Sequence, residues 1–339
     1  MLVEPDLDRR ALAATLDRHH GLAALTLEFV PAGETSWCYR VTDDRGGRWF
    51  LKLSRPGVIE PARAEFALDL AGALADLGLP VPRPRPTRSG RRWCWLDGLQ
   101  VAVFELVDGD PLDDRALANP SMAGRVARLV AAVHAATPAL PVPVPFAERF
   151  EVPAEELHHR LAALDRDAGP PDELVAEARA LVRPRRGVLL ATLERVQALA
   201  AVGGQPQERV LCHRDLIGDN LLVDRSGGLW LVDWDGAALA PCEADLAMFT
   251  GPGFERFLDA YEAAAGPCNI NPELVAFFLL RRNLDDLTDW LGAILEVDRP
   301  VPQRHADLDG IHWCISRWPE LEARADHTRR LLRGRRQRT

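Results

Sequence analysis

The chain has 339 residues, enough for one large domain or two medium ones with a substantial core. Hydrophobic residues make up 47% and charged residues 27%, an ordinary globular balance, and no apolar run reaches bilayer-spanning length. The net charge of −9 argues against nucleic acid as the main partner and is compatible with a cationic small molecule.

Lys and Arg total 41, yet Lys52 is the sole lysine. In so arginine-rich a composition that is either chance or a position where a planar guanidinium will not serve. Cys38, Cys94, Cys212, Cys242, Cys268 and Cys314 are scattered, with no C-x-x-C pair and no Cys/His cluster along the sequence. They read as free thiols of a reducing compartment. The N-terminus MLVEPDLDRR lacks the basic start and apolar core of a signal peptide, so a cytoplasmic protein is expected, with no membrane partner.

In chain order, Asp6 or Asp8 caps a first helix that runs to His20 and ends at Gly21. Short β-type runs follow at 25–30, 37–42 and 48–53, the last carrying Phe50 and Lys52. The loop with Gly33 and Ser36 reads either as a plain hairpin turn or as a phosphate-cradling loop. A helix over 62–77 carries Glu65; Glu60 precedes Pro61 and should lie outside it. An extended Pro-rich connector over 79–86 leads to strands at 92–96 and 100–105. Residues 1–105 thus read as an antiparallel five-stranded lobe with one long helix. Residues 106–110 form a hinge, and 111–339 a larger, mainly helical lobe, so the fold class is α+β.

The larger lobe begins with a helix over 121–136. Its His134 reads as structural. Helices at 153–165, 171–181 and 186–201 come next, then the stretch 211–245. Here His213, Asp215, Asn220 and Asp233 fall at the spacing H-x-D-x-x-x-x-N followed by a strand ending in Asp. That is a phosphoryl-transfer arrangement. Asp215 can accept the proton of an attacking hydroxyl, while Asn220 and Asp233 offer the oxygen ligands that Mg²⁺ prefers. Runs at 220–223 and 229–232, joined by Asp224-Arg225-Ser226-Gly227-Gly228, read as a hairpin that brings Asn220 and Asp233 to one end. Three further helices are expected at 253–265, 272–280 and 282–295, and the arginine-rich tail 329–339 as disorder or a frayed helix end.

With Lys52, Glu65, His213, Asp215, Asn220 and Asp233 in order, the chain resembles the aminoglycoside phosphotransferase family, the small-molecule branch of the protein-kinase-like fold. The stretches CHRDLIGDN, VDWDGAALAPCEADLAMF and RNLDDLTDW look most like its spectinomycin phosphotransferase subgroup. The resemblance implies a bilobal fold, ATP or GTP with Mg²⁺, and Asp215 as catalytic base. It implies Asn220 and Asp233 as metal ligands, and Lys52, braced by Glu65, on the nucleotide phosphates. Backbone near Glu105 and Val107 would meet the adenine edge, and Phe50, Leu222 and Val232 would sandwich the ring. His213 and Asp245 would support the catalytic loop. Arg214 stands where the family usually has a small residue. Ile217, Trp234 and Asp235, in place of the corresponding protein-kinase residues, favour a small-molecule acceptor over a protein.

For the acceptor, Asp235, Asp285, Asp289 and Trp290 are the candidates, with Asp286, Glu296 and Trp313 nearby. Acidic groups at helical spacing suit a cationic aminocyclitol or are simply a solvated face. Three readings stand: an antibiotic-inactivating phosphotransferase, a metabolic or biosynthetic kinase of an amino sugar, amino alcohol or nucleoside, and a non-catalytic kinase-shaped binding protein. A monomer or homodimer is expected.

Overall fold

The computed structural model describes residues 1–33, 36–57, 59–166, 172–204, 207–216, 218–296 and 298–336. In order, these form α1 (Arg9–His20), β1 (Ala24–Val30), β2 (Ser36–Asp43), β3 (Arg48–Ser54), α2 (Pro61–Asp76), β4 (Trp93–Leu96), β5 (Leu99–Glu105), β6 (Gly109–Pro111), α3 (Asp114–Leu117) and α4 (Pro120–Ala135). Then come α5 (Ala154–Asp165), α6 (Glu173–Val182), α7 (Arg186–Gly203), β7 (Val210–Cys212), β8 (Leu221–Asp224), β9 (Leu229–Leu231), β10 (Ala238–Ala240), α8 (Glu243–Leu246), α9 (Phe254–Ala265), α10 (Pro272–Ile294) and α11 (Val301–Arg336).

The chain divides into two compact units. The first holds Met1–Ala147, Val210–Leu239 and Arg256–Gly266, so the unit with the sheet extends past residue 105 to include the hairpin β8–β9. Its main sheet is antiparallel in the order β1-β2-β3-β5-β4. Successive strand side chains point to opposite faces. One face carries Tyr39, Val41, Leu51, Leu53, Val101 and Val103, sealed by Leu12 and Leu16 of α1. That helix starts where the Asp8 carboxylate accepts from Arg10 N at 2.8 Å. By the same alternation Cys38, Phe50, Lys52 and Ala102 fall on the other face, with Lys52 opposite Cys38 on β2 and Ala102 on β5. A second, three-stranded sheet, β6-β8-β9, also belongs to this unit.

The second unit holds Glu148–Arg209, Ala240–Glu255 and Pro267–Thr339 and is helical. Its axis is α10, one helix whose buried face recurs along its whole length from Pro272 to Ile294. The two helices expected over 272–280 and 282–295 are therefore one. The arginines at that junction are absorbed into the packing. Arg281 is clamped by buried Glu148 at 2.8 and 3.1 Å and stacks on Phe277 and Phe278, while Arg282 pairs with Asp286 at 2.7 Å.

The tail also differs from expectation. Residues up to Arg336 continue α11, and Arg329 and Arg333 both reach Glu273, at 2.8 and 2.7 Å. No helix of the described residues is long and apolar enough to cross a membrane.

Candidate active site

Lys52 is positioned by β3 on the sheet face away from α1, and its ammonium donates to Asp233 Oδ1 at 3.0 Å and to Asp235 Oδ2 at 2.7 Å. Burial alone would pull its pKa down, but the two carboxylates outweigh that and hold it above the ordinary lysine value. Within the pair, burial pushes both carboxyls up. Attraction to Lys52 brings Asp233 below the usual range, whereas Asp235, also repelled by Asp233, stays above it. The two carboxylates are 44% and 29% exposed, so solvent screening leaves the cluster little direct stabilising value; what it fixes is position.

The expected brace from Glu65 is absent. Glu65 is exposed on α2, and the side chain that α2 turns toward this loop is Arg63. Arg63 Nη1 donates to the main-chain oxygens of Asp235 at 3.2 Å and Ala237 at 3.4 Å, with its guanidinium 4.1 Å from the centre of the Phe146 ring. The reason is helical register. At 3.6 residues per turn, positions two apart point about 200° apart, so turning Arg63 inward turns Glu65 out. Glu60 precedes the helix, as expected. Nothing in the sequence around Arg63 marks it, because its partners are backbone carbonyls of a distant turn.

The loop that carries Asp215 leaves β7 through His213, whose Nε2 donates to Val232 O at 2.9 Å and whose ring lies 4.6 Å from that of Trp234. Arg214 takes a left-handed φ of 70°, as does Asp233 at 63°. Such conformations cost a non-glycine residue energy and persist only where surrounding contacts enforce them. Asn220 Nδ2 donates to both Asp215 O at 2.8 Å and Asp215 Oδ2 at 2.9 Å. Val232 N donates to Asn220 O at 3.1 Å, which places the segment leading to Asp233 directly beside Asn220. The hairpin thus brings together the residues that the spacing singled out. Ile217 lies outside the described residues.

The donor set fits a hard divalent cation. Asp233 and Asp235 supply carboxylate oxygens, and Asn220, with its Nδ2 turned to Asp215, keeps Oδ1 as an acceptor. Asp215 is half-buried and lies outside the Lys52 cluster.

Where the adenine edge was expected, Glu105 N is taken by Arg83 O at 3.0 Å, so that amide is not open to a ligand. Among the described residues no hydrogen bond engages Val107. Phe50, Leu222 and Val232 are each half-buried. Beside the hinge, about two residues along β3 from Phe50 rather than around Lys52, is a polar recess of about 300 Å³ lined by Arg40, Arg48, Asp108, Asp110 and Arg225 among others. Gly33 is exposed with φ 83°, while Ser36 is buried in β2, its hydroxyl 2.9 Å from that of Ser54. Glu34 and Thr35 between them lie outside the described residues.

The candidate acceptor residues separate. Asp235 belongs to the Lys52 cluster. Asp285, in the second unit, contacts Arg281 at 3.4 Å, and burial, reinforced by Asp286 and Asp289 against the pull of Arg281, pushes its carboxyl up to about 7. Asp289 is exposed, and Trp290 packs against Gly310 of α11. Trp313 is exposed, with Arg317 stacked 4.0 Å from its ring. Asp245 is fully buried in α8. His134 is buried and bonded through Nδ1 to the Tyr261 hydroxyl at 2.7 Å. The fold also brings its Nε2 within 3.8 Å of Cys212 Sγ, a proximity invisible along the sequence.

Residues 26–278 match the family described as the phosphotransferase enzyme family. Protein StrN of Streptomyces griseus is 29% identical over 271 residues, 78% of each chain. Among solved structures, a spectinomycin phosphotransferase in complex with ADP and spectinomycin superimposes with a TM-score of 0.75 at 18% identity, covering 94% of this chain and 99% of its own. A microcompartment-associated aminopropanol kinase does so with a TM-score of 0.59 at 18% identity, covering 94% and 98%. These likenesses establish the α+β, kinase-like fold.

Proposed function

The chain belongs to the phosphotransferase enzyme family, and on that premise we propose that it transfers the γ-phosphoryl group of ATP or GTP to a hydroxyl of a small molecule, foremost an aminoglycoside- or aminocyclitol-type antibiotic. The observation that carries this reading is the hydrogen-bonded pair Asp215–Asn220, set beside the Lys52–Asp233–Asp235 cluster by one hairpin. Base, metal ligands and phosphate-binding cation are the parts such a transfer needs, and catalysis comes mainly from positioning and charge neutralisation.

In the proposed reaction the acceptor oxygen forms a bond to the γ-phosphorus as the bond to the β-phosphate oxygen breaks. Asp215 takes the hydroxyl proton, and ADP or GDP leaves. Lys52 would stabilise charge on the nucleotide phosphates, and Asn220, which holds Asp215 through Nδ2, would offer Oδ1 to a cation. Magnesium, when bound by Asn220, Asp233 and Asp235, supplies neutralisation of the phosphate oxygens. The main-chain groups of Val107 and the neighbouring polar recess offer hydrogen bonds to a nucleoside. Six scattered cysteines with no C-x-x-C pair favour a reducing, ATP-containing setting, the cytoplasm.

The fold-level likeness to a spectinomycin phosphotransferase and the negative net charge favour a cationic antibiotic as acceptor. The likeness to an aminopropanol kinase favours the second reading, a metabolic kinase of an amino alcohol or amino sugar. Incubation of the purified chain with Mg–ATP and a panel of spectinomycin, aminoglycosides, amino sugars and amino alcohols, read by mass spectrometry for a gain of one phosphate, separates them. A phosphorylated antibiotic, with resistance in a susceptible bacterium expressing the chain, supports the first reading. Exclusive phosphorylation of an amino alcohol or amino sugar would replace it by the second.

A further inference from the structure

We infer that Arg63 is a positioning residue for the metal-binding turn, in the place where a helix glutamate was expected to brace Lys52. The inference rests on the Mg–nucleotide reading of the same site. Its basis is a continuous set of contacts in the first unit. Helix α2 sends Arg63 to two main-chain oxygens of the turn, those of Asp235 and Ala237, at 3.2 and 3.4 Å. The side chains of Asp233 and Asp235, on that same turn, hold Lys52 at 3.0 and 2.7 Å. From α2 to the ammonium, the linkage therefore passes through the turn's backbone and not through a carboxylate on the helix.

The turn needs such support. Asp233 sits at φ 63°, a conformation that an aspartate keeps only when its surroundings impose it. On one side, Trp234 lies against the His213 ring, and a Cβ at Gly236 would come 3.2 Å from His213 O, so the loop is pressed onto the catalytic segment. On the other, Arg63 is the side chain that takes up the turn's carbonyls. Its guanidinium is itself fixed, lying 4.1 Å from the Phe146 ring centre while Nη1 spans the two oxygens. A planar fork with five donors can stack and bridge at once; an ammonium cannot do both. Without Arg63 two carbonyls lose a charged donor, Asp233 can relax toward ordinary φ, and the paired carboxylates lose the spacing that a small, geometrically demanding cation requires.

The test measures ADP binding by calorimetry, with and without Mg²⁺, for the wild-type chain, Arg63→Ala, Arg63→Lys and Glu65→Ala. Supporting groups behind metal ligands are worth about 10–100-fold in metal affinity. Arg63→Ala should therefore weaken the Mg²⁺-dependent part of ADP binding by about tenfold or more, and leave metal-free ADP binding at the wild-type level. Arg63→Lys should fall between, because it keeps the charge and one hydrogen bond but loses the bridge and the stack. If Arg63→Ala does not fold, Arg63→Lys decides by the same Mg²⁺ dependence. A purely structural role would lower melting temperature without changing that dependence, and would overturn the inference. So would a larger loss in Glu65→Ala than in the Arg63 variants. Failure of the wild-type chain to bind Mg–ADP at all would instead overturn the nucleotide reading.

Discussion

Asp215, Asn220, Asp233 and Lys52 could be singled out from the sequence because their chemistry depends on residue type and short-range spacing. Glu65 could not be placed, because helix phase is set by packing and an error of two positions reverses the face. Asp235, expected at the acceptor, belongs instead to the lysine cluster, since the turn after β9 folds its carboxylate back onto Lys52. Asp285 carries a prediction at this scale. Its carboxyl, pushed up to about 7 by burial and by Asp286 and Asp289 against Arg281, is raised above its unfolded value of 3.8. A carboxyl so shifted favours the folded state at low pH and forfeits that advantage as pH rises from the unfolded toward the folded pKa. Asp285→Asn has no such titration, and Arg281 keeps Glu148 as its partner. The melting temperature of Asp285→Asn relative to wild type should therefore increase between about pH 4 and pH 7 and level off above. A difference independent of pH would show that Asp285 is ionised normally in the fold.

The hairpins show what elements add. Two turns share one pattern, D-x-x-G-G-x-W, at Asp43–Trp49 and Asp224–Trp230. In the second, Asp224 accepts from Ser226 N and Gly228 N at 2.8 Å each and from Trp230 Nε1 at 2.7 Å. Asp43 does the same with Arg45 N, Gly47 N and Trp49 Nε1, at 3.0, 2.7 and 2.9 Å. The first glycine of each turn has positive φ, 79° and 83°, and a Cβ on the second would meet the aspartate oxygen at 2.5 and 2.6 Å. Both turns were visible in the sequence as loops; their shared carboxylate hub was not, because it depends on side-chain reach across the turn. The same device thus shapes the strand pair leading to Lys52 and the pair joining Asn220 to Asp233.

Helix α11 meets α10 at Gly310, where a Cβ would come 2.5 Å from Cδ2 and Cε2 of Trp290. Alanine in a helix interior gains about 1 kcal/mol over glycine, whereas overpacking costs about 1–3 kcal/mol. With three indole atoms within 2.7 Å of that Cβ position, overpacking should win, and Gly310→Ala should lower the melting temperature. In a Trp290→Ala background the same change should raise it. An increase in the wild-type background would mean that Trp290 is free to move, as an acceptor-lining side chain would be.

Across the whole molecule, the α+β division and the antiparallel five-stranded sheet were legible, because alternation and turn chemistry are local; the order in which β5, not β4, pairs with β3 was not. The end of the chain was not. Helix α11 carries Pro319 in its interior, and its arginine-rich close reads locally as disorder or a frayed helix end. It persists because Glu273 and Glu255, far back in the sequence, receive Arg329, Arg333 and Arg335. Arg324 likewise caps the Thr250 carbonyl.

Asp215 is proposed to act on an acceptor hydroxyl while a separate set of residues holds the nucleotide. The direct measurement is phosphate transfer from Mg–ATP to the acceptor found in the panel, by wild type and by Asp215→Ala, with Mg–ADP binding titrated on the same preparations. Loss of a general base costs on the order of 10²–10⁴-fold in turnover. The account predicts a fall of that size with Mg–ADP binding at the wild-type level. A variant that transfers phosphate at the wild-type rate would contradict it.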